Sequence, residues 1–279
     1  MTNIKTIIAH YTPTISDGEI SARLEAEILL AYLLGKSRSY LYSYPEQLLS
    51  AEQERNFHGL MARRATGEPI AYLTGKKEFW SLELLVNEHT LIPRPETELM
   101  VELTLKLLAH KTEATILDLG TGCGTVAIAI ASERPKWQII ASDIHEKTAD
   151  VARINSRRFD LQNINVICSD WFQALPKQKF DAIISNPPYI ADNDSHLANG
   201  DLRFEPKQAL TSGPTGLEAI THIIQHSTDY LVTQGLLLLE HGYNQKDAVR
   251  ELLTHSNFQS IKSWQDWQKN DRISAGWSL

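Results

Sequence analysis

Four consecutive residues, Asn186-Pro187-Pro188-Tyr189, have the types and spacing of an amide-binding turn. The two prolines fix φ at about −65° and remove two backbone N–H donors, so the turn is rigid and rich in acceptors. The Asn186 side-chain oxygen and the carbonyls of Pro187 and Pro188 can accept both hydrogens of a planar –NH2 group, and Tyr189 offers a face for stacking. The turn therefore predicts a grip on an amino or carboxamide nitrogen, although Asn-Pro-Pro also commonly ends a strand.

A glycine-rich turn lies upstream, between an apolar strand predicted at Thr115–Leu119 and a helix predicted from Thr125 to about Ser132. Its residues are Gly120, Thr121, Gly122, Cys123 and Gly124. Strand, glycine turn and helix begin a nucleotide-binding α/β unit, in which glycines let the backbone approach a ligand closely. The spacing is G-x-G-x-G, with Thr125 where a dinucleotide fingerprint has its last glycine, so the pattern disfavours NAD.

Polar residues follow the next predicted strands as well. Asp143 ends the strand that begins at Gln138, and Asp170-Trp171 follows a strand over Asn165–Ser169. Ligands of open α/β sheets bind at the carboxyl ends of the strands. The sequence thus predicts one nucleotide site, with Asp143 on ribose hydroxyls, Asp170 on an adenine amino group and Trp171 covering the ring. Asp143 as a plain helix N-cap and Trp171 as a buried indole stay open as alternatives.

The N-terminal segment reads as a small helical domain without a ligand turn. Ser16–Glu19 precedes an apolar-periodic helix that ends at Gly35, and Ser50–Gln53 opens a helix reaching about Arg64. The run Phe79–Val86 is typical of an extended hairpin.

The C-terminal part alternates strands and helices. A helix is predicted from about Glu96 to His110, with Pro95 at its first turn. The last two strands, Ile261–Trp264 and Arg272–Trp277, form a predicted antiparallel addition. The tryptophans outside the site are expected to pack in the interior: Trp80, Trp137, Trp264, Trp267 and Trp277.

Composition bounds the class of protein. The 279 residues suit one large or two smaller domains, and two cysteines give no disulfide framework. The net charge is −7, most of it after residue 85, which is a poor platform for a polyanion and a better one for a basic protein. The chain shows neither a signal pattern nor a long apolar run, so a cytoplasmic setting is expected. Its ten histidines form no metal-binding motif, so no metal is expected.

Several segments together resemble one family of class I S-adenosylmethionine (SAM) methyltransferases, the release factor N5-glutamine methyltransferases (the PrmC/HemK family). Besides Ile116–Gly124 and Ser185–Tyr189, the matching segments are Gly67–Gly75, Leu91–Glu98, Phe204–Pro206 with Ala209-Leu210, and Leu238–Gly242. Asn-Pro-Pro-Tyr alone is shared with methyltransferases acting on adenine N6, cytosine N4 and guanine N2. The combination with Gly67–Gly75 and Leu91–Glu98 is more specific.

The resemblance implies an α/β fold with a Rossmann-like seven-stranded sheet, its last strand antiparallel. It implies a helical substrate-recognition domain at 1–76, a β-hairpin linker at 77–92 and a methyltransferase domain at 93–279. The implied reaction is methyl transfer from SAM to a glutamine N5 in the GGQ-type motif of class I release factors, without a metal. The implied catalytic residues are Asn186, Pro187, Pro188 and Tyr189. The implied cofactor-binding residues are Gly120, Thr121, Gly122, Cys123, Gly124, Asp143, Asp170, Trp171 and Asn186.

Three other functions remain open at this point. Glutamine methylation of a ribosomal protein uses the same chemistry, and amino methylation of a nucleic-acid base uses the same Asn186 turn. A basic recognition surface would favour the nucleic acid, and the charge count does not indicate one. A non-catalytic SAM- or nucleotide-binding module is the third alternative, which the intact Asn186 turn disfavours.

Overall fold

The computed structural model describes residues 2–11, 22–198 and 200–279. The chain divides into two compact units, Met1–Gly75 and Lys76–Leu279. Within the described ranges, no helix has both the length and the apolar composition needed to span a membrane.

The first unit is helical. Its elements are α1 Ile4–His10, α2 Ala22–Leu34, α3 Arg38–Ser43, α4 Ala51–Ala65 and α5 Ile70–Thr74. The predicted helix start at Ser50 is confirmed, because the Ser50 hydroxyl accepts from Gln53 N while the Gln53 side chain accepts from Ser50 N, which is a capping box. Gly35 follows α2 at φ 61°, as expected for the residue that ends a helix. The cap predicted at Ser16–Glu19 lies outside the described residues.

A two-stranded antiparallel hairpin opens the second unit. Strands β1 (Lys76–Phe79) and β2 (Leu82–Leu85) pair as the extended run predicted. The two turn residues, Trp80 and Ser81, have φ values of 53° and 59°, which the twist of a tight hairpin requires and which side chains other than glycine resist. The Trp80 indole donates to Glu133 Oε1 at 2.9 Å, a contact that helps to hold this turn.

Seven further strands form one sheet, in the order β5-β4-β3-β6-β7-β9-β8. They are β3 Thr115–Leu119, β4 Gln138–Asp143, β5 Ile164–Cys168, β6 Phe180–Ser185, β7 Leu231–Glu240, β8 Gln259–Gln265 and β9 Asp271–Trp277. Strands β3 to β7 pair in parallel, and β9 is antiparallel to both of its neighbours. The chain reverses its direction of strand addition between β3 and β6, so the switch point of the sheet lies between these two strands. The predicted sheet with an antiparallel last strand is confirmed.

Helices cover the sheet on both faces. They are α6 Glu98–Leu107, α7 Thr125–Glu133, α8 Glu146–Arg158, α9 Lys207–Leu210, α10 Glu218–Ser227 and α11 Lys246–His255. Alternate strand residues such as Leu117, Leu119 and Ile183 pack with α10 and α11 in one apolar cluster, while α7 contacts both α6 and α8 on the other face. The helix predicted over Glu96–His110 begins as a 3-10 turn, Pro95–Thr97, before α6.

One buried asparagine of α8 joins the hairpin to the glycine turn. Asn155 Oδ1 accepts from Leu85 N at 2.8 Å, and Asn155 Nδ2 donates to Leu85 O and to Cys123 O, both at 2.9 Å. The Asn155 side chain is fully buried, and its bond to Cys123 O is shielded from water.

Two tryptophans show the range of outcomes for the packing prediction. Trp137 is fully buried, with its indole donating to Lys111 O, whereas Trp267 is 87% exposed in the β8–β9 turn. The prediction was therefore wrong for Trp267, because the polar turn leaves no apolar surface on which this ring packs.

Candidate active site

Strand register places the predicted residues at one edge of the sheet. Leu119, the last residue of β3, pairs with Ser142 on one side and Ser185 on the other. The chain segments that continue from these three positions are Gly120, Asp143 and Asn186, so they leave the sheet side by side. Hydrophobic strands that end in register therefore bring the glycine turn, the carboxylate and the asparagine together at the switch point.

The glycine turn depends on a left-handed backbone. Gly120, Gly122 and Gly124 have φ values of 71°, 60° and 91°. At Gly124, a Cβ would lie 2.6 Å from Ile128 Cδ1, so a side chain here would force Ile128 to shift in addition to the unfavourable φ. This close packing lets α7 begin directly behind the turn.

Asp143 braces the turn with its carboxylate. Oδ2 accepts from Gly122 N at 3.1 Å, and Oδ1 accepts from His145 N at 3.1 Å. Burial raises the pKa of Asp143, and the two backbone donors counter that rise. The N-cap of α8 is His145, two residues after Asp143, so Asp143 is not the N-cap of this helix.

A cavity of about 350 Å³ lies against these residues. Its walls include six of the predicted site residues: Gly120, Gly122, Asp143, Trp171, Asn186 and Pro188. The remaining walls come from His89, Leu91, Ser142, Ile144, His145, Thr148, Ser169, Pro206, Gln208 and Ala209. Mostly apolar walls with a few polar groups, at this volume, are the usual form of a small-molecule site.

The other predicted residues lie around this cavity without lining it. Thr121 lines a smaller adjoining cavity, and Cys123 is buried with its sulfur 3.2 Å from Thr125 Oγ1. The Asp170 carboxylate accepts from Gln173 Nε2 at 2.9 Å. Three predicted residues line neither of the two cavities: Gly124, Pro187 and Tyr189. Contact of these residues with a ligand stays a prediction.

The smaller cavity contains a buried acid. Asp118 Oδ2 accepts from Thr121 Oγ1 at 2.7 Å. Burial is the largest influence and raises the pKa of Asp118 to about 6, while the Thr121 hydroxyl lowers it. The segment before α6 closes the opposite side with Pro93, Arg94 and Thr97.

Asn186 is held by its amide nitrogen. Asn186 Nδ2 donates to Thr97 Oγ1 at 3.2 Å, and Thr97 Oγ1 donates to Glu240 Oε2 at 2.8 Å. The Tyr189 hydroxyl donates to the other oxygen, Glu240 Oε1, at 3.4 Å. Within the described part of the chain, no hydrogen bond occupies Asn186 Oδ1, which leaves this oxygen for a donor outside the protein.

Thr97 and Glu240 are site residues that sequence reasoning missed. Both lie in segments that carry the family resemblance, Leu91–Glu98 and Leu238–Gly242, and that was the only signal available. Burial raises the pKa of Glu240 to about 7, and it also raises the pKa of Tyr189.

Glu205 lines neither cavity, but it holds a segment that does. Its carboxylate accepts from Ile92 N at 2.9 Å and forms an ion pair with Arg94. Because the Glu205 side chain is fully buried, this pair fixes the segment that carries Arg94 to Thr97.

The protein has the strand order, the antiparallel last strand and the cavity at the carboxyl ends of the strands that define the class I methyltransferases. These enzymes take their methyl group from SAM. In agreement, residues 96–215 match the family model described as Methyltransferase small domain, and residues 14–75 match the PrmC N-terminal domain. A methyltransferase structure from Pyrococcus furiosus shares the fold, with a TM-score of 0.54 at 17% identity, covering 79% of this chain and 99% of that one.

Curated relatives carry the assignment further. The release factor glutamine methyltransferase of Pseudomonas aeruginosa is 49% identical over 256 residues, 92% of each chain. The release factor glutamine methyltransferase of Escherichia coli is 45% identical over 256 residues, again 92% of each chain. This chain therefore belongs to the release factor glutamine methyltransferase family.

Proposed function

We propose that this protein transfers the methyl group of SAM to the side-chain nitrogen (N5) of a glutamine in class I peptide chain release factors. The target is the glutamine of a GGQ-type motif, and the methylation modulates translation termination. The reaction belongs in the cytoplasm, where these substrates act.

The observation that carries the proposal is the state of Asn186. One hydrogen of its Nδ2 is bonded to Thr97, and its Oδ1 is the acceptor that remains for a substrate. The carbonyls of Pro187 and Pro188 accept no backbone hydrogen bond within the described residues. Asn186 Oδ1 and the Pro187 carbonyl would accept both N–H groups of a glutamine carboxamide, a planar group that this pair of acceptors fits.

Orientation is the main chemical task. An amide nitrogen is a weak nucleophile because its lone pair is delocalised into the carbonyl. SAM supplies a methyl group that its sulfonium already activates, so the transfer requires no metal. Asn186 and Pro187 aim the nitrogen at that methyl group and stabilise the positive charge that develops on it. Holding two reactants in line supplies roughly 7–11 kcal/mol of barrier reduction in favourable cases.

The residues around the larger cavity fit SAM. Asp143 would present a half-buried carboxylate to ribose hydroxyls, and Trp171 would present an indole to the adenine ring. Asp170 beside it would accept from the adenine amino group. The three glycines of Gly120–Gly124 have no side chains, so the backbone of this turn can closely approach the amino-acid end of SAM.

The partner is a protein rather than a nucleic acid. The net charge of −7 disfavours a polyphosphate and suits a basic surface. The helical segment 1–76 would select the release factor, 77–92 would act as a hairpin linker, and 93–279 would carry out the transfer.

Labelling of separate candidate substrates distinguishes a release factor methyltransferase from a methyltransferase of ribosomal proteins or nucleic acids. The full-length protein is incubated with methyl-labelled SAM and, separately, purified release factor, ribosomal proteins, tRNA and DNA. We expect label in the release factor alone. A release factor whose target glutamine is replaced by asparagine serves as the matched control and should stay unlabelled. Label in tRNA, DNA or a ribosomal protein, with none in the release factor, would overturn the proposal.

A further inference from the structure

The proposed amide grip works only if Asn186 presents its oxygen and not its NH2 group, and Asn186 alone does not decide which. Its side chain continues into a buried chain of hydrogen bonds, Asn186 to Thr97 to Glu240. Thr97 lies in the 3-10 turn before α6, and Glu240 is the last residue of β7. The exposed fractions of Thr97 and Glu240 are 3% and 2%, so water does not compete for the bond between these two residues.

We propose that Glu240, acting through Thr97, fixes the polarity of the Asn186 carboxamide and is a positioning residue for methyl transfer. The inference rests on the proposed amide-methylating function. It adds a requirement that the function alone does not impose: Glu240 must be an acceptor.

The hydroxyl of Thr97 makes this relay directional. A hydroxyl has one hydrogen, and Thr97 gives it to Glu240 Oε2 at 2.8 Å. Its oxygen can then only accept from Asn186. The carboxamide therefore turns its Nδ2 inward, and Oδ1 is left for the substrate.

The second oxygen of Glu240 is also an acceptor. Tyr189 donates its hydroxyl to Oε1 at 3.4 Å, so the carboxylate receives one donor at each oxygen. An ionised carboxylate has no hydrogen to give, and it therefore admits only this direction of the relay.

A neutral group at Glu240 permits the reverse direction. It could donate to Thr97, which would then donate to Asn186 Oδ1, and the carboxamide would face the substrate with its NH2 group. Two NH2 groups would then oppose each other without an acceptor between them. The target glutamine would lose one of its two hydrogen bonds, and its nitrogen would no longer be aimed.

The surroundings keep the ionisation of Glu240 within an accessible range of pH. Burial raises its pKa to about 7, whereas the Thr97 and Tyr189 hydroxyls and the charge of Arg272 lower it. Glu96, in the same 3-10 turn as Thr97, raises it. The acceptor state therefore dominates above about pH 7 and is lost below it.

The first test compares wild type with Glu240→Gln over a range of pH, measuring kcat on release factor and the dissociation constant of SAM. If only the ionised form is active, wild-type kcat at about pH 6 is roughly tenfold below its value at about pH 8. In Glu240→Gln, the NH2 group can face Thr97 while Tyr189 donates to the carbonyl oxygen, so an acceptor toward Thr97 is no longer guaranteed. We expect kcat to stay about tenfold or more below wild type at the higher pH, without the rise, and SAM affinity to be unchanged.

The second test asks whether Thr97 acts through its hydroxyl, as the relay requires, or only through its packing. Thr97→Ser keeps the hydroxyl and should keep kcat within about threefold, whereas Thr97→Val keeps the shape and should lose about tenfold or more in kcat with little change in SAM affinity. Thr104→Val is the matched control: Thr104 is a buried threonine of α6, the helix that follows Thr97, and its hydroxyl donates to Met100 O. It should leave kcat unchanged.

The outcomes distinguish the two proposals. A wild-type protein that labels no release factor at any pH overturns the proposed function. A wild-type protein that is active, with Glu240→Gln matching both its rate and its pH profile, overturns only the relay. Equal rates for Thr97→Val and Thr97→Ser would contradict the relay independently, and SAM binding by each variant shows that it is folded.

Discussion

The two halves of the site are built in different ways. The loop half consists of Gly120–Gly124, Asp143 and Trp171, and it is shaped mainly by backbone conformation. The amide half consists of Thr97, Asn186, Tyr189 and Glu240, and it is shaped by side-chain hydrogen bonds. In the loop half, 21 residues separate Gly122 from Asp143 along the chain. In the amide half, the separations are 89 from Thr97 to Asn186 and 143 from Thr97 to Glu240.

This difference indicates which half of the site binds the methyl donor and which half selects the nucleophile. Backbone groups and glycines approach any ligand of suitable shape, so the loop half suits a donor common to many enzymes. Directed side-chain bonds decide between donor and acceptor, so the amide half suits the choice of a nucleophile. Changes in the loop half should therefore alter binding of SAM, and changes in the amide half should alter turnover.

The largest effect is expected at Asn186. Asn186→Ala removes the acceptor for the target amide and should lower kcat by about 10²- to 10³-fold, by analogy with removal of one group that stabilises a transition state. The dissociation constant of SAM should change far less. Methyl transfer to release factor and calorimetric SAM binding measure the two quantities. Asn165→Ala, at an exposed position on β5, is the control. A parental rate in Asn186→Ala would remove the amide half from the mechanism.

The ionisation of Glu240 should also make the free energy of unfolding depend on pH. Its pKa rises from 4.5 to about 7 on folding, so it contributes stability that is fully present below the unfolded pKa and is lost as the pH rises through the folded pKa. The neutral isostere in Glu240→Gln lacks this dependence. The free energy of unfolding of wild type relative to this variant should fall by roughly 2–3 kcal/mol between about pH 5 and about pH 8.

Urea titrations of both proteins at the two values of pH measure this difference. A constant difference would mean that Glu240 has the same pKa in the folded and unfolded chains, and the raised pKa would then be incorrect.

Asp143 tests the loop half. Asp143→Ala removes the carboxylate that accepts from Gly122 N and His145 N and that is proposed for ribose. Charged hydrogen bonds of this kind contribute about 1.5–3 kcal/mol, so the dissociation constant of SAM should rise roughly 10- to 100-fold. At saturating SAM, kcat should stay within about threefold of wild type. Asp229→Ala, an exposed site, is the control, and unchanged SAM binding in Asp143→Ala would contradict the ribose role.

The smallest effect distinguishes two glycines of the turn. Gly122→Ala adds a Cβ that meets nothing within 4 Å, so only its φ of 60° is unfavourable, at a cost of about 1–2 kcal/mol. Gly124→Ala has the same kind of φ penalty and also meets Ile128 Cδ1 at 2.6 Å. We expect Gly124→Ala to lower the free energy of unfolding more than Gly122→Ala does. Equal losses in urea titrations would show that the turn relaxes around the added methyl.

The two halves also differ in how far the sequence predicts them. The strands, the glycine turn and the position of Asp143 follow from local patterns: an apolar run, a glycine spacing and a polar residue at a strand end. Strand register then brings Gly120 and Asn186 to one edge, which the fold class alone implies. Much of the loop half was therefore predictable.

The relay was not predictable, because nothing local marks Thr97 or Glu240. A threonine before a helix and an acid after a leucine run are ordinary residues, and their meaning comes from contacts across long separations. Tyr189 likewise makes a contact that no local pattern indicates, because its hydroxyl donates to Glu240 while its ring packs against the core. The contact of its ring with a ligand stays a prediction. Trp267 was expected inside, but a turn exposes it.

Because Asn155 bonds to both segments, hydrogen exchange at Leu85 in the hairpin should respond to changes in the glycine turn. The same side chain bonds to Leu85 in the hairpin and to Cys123 in the turn, so a local opening that displaces Asn155 releases both. Such coupled openings set the rate at which backbone amides exchange their hydrogens with solvent. Deuterium uptake at the Leu85 amide should slow when SAM occupies the cavity, although Leu85 is not among the residues that line it.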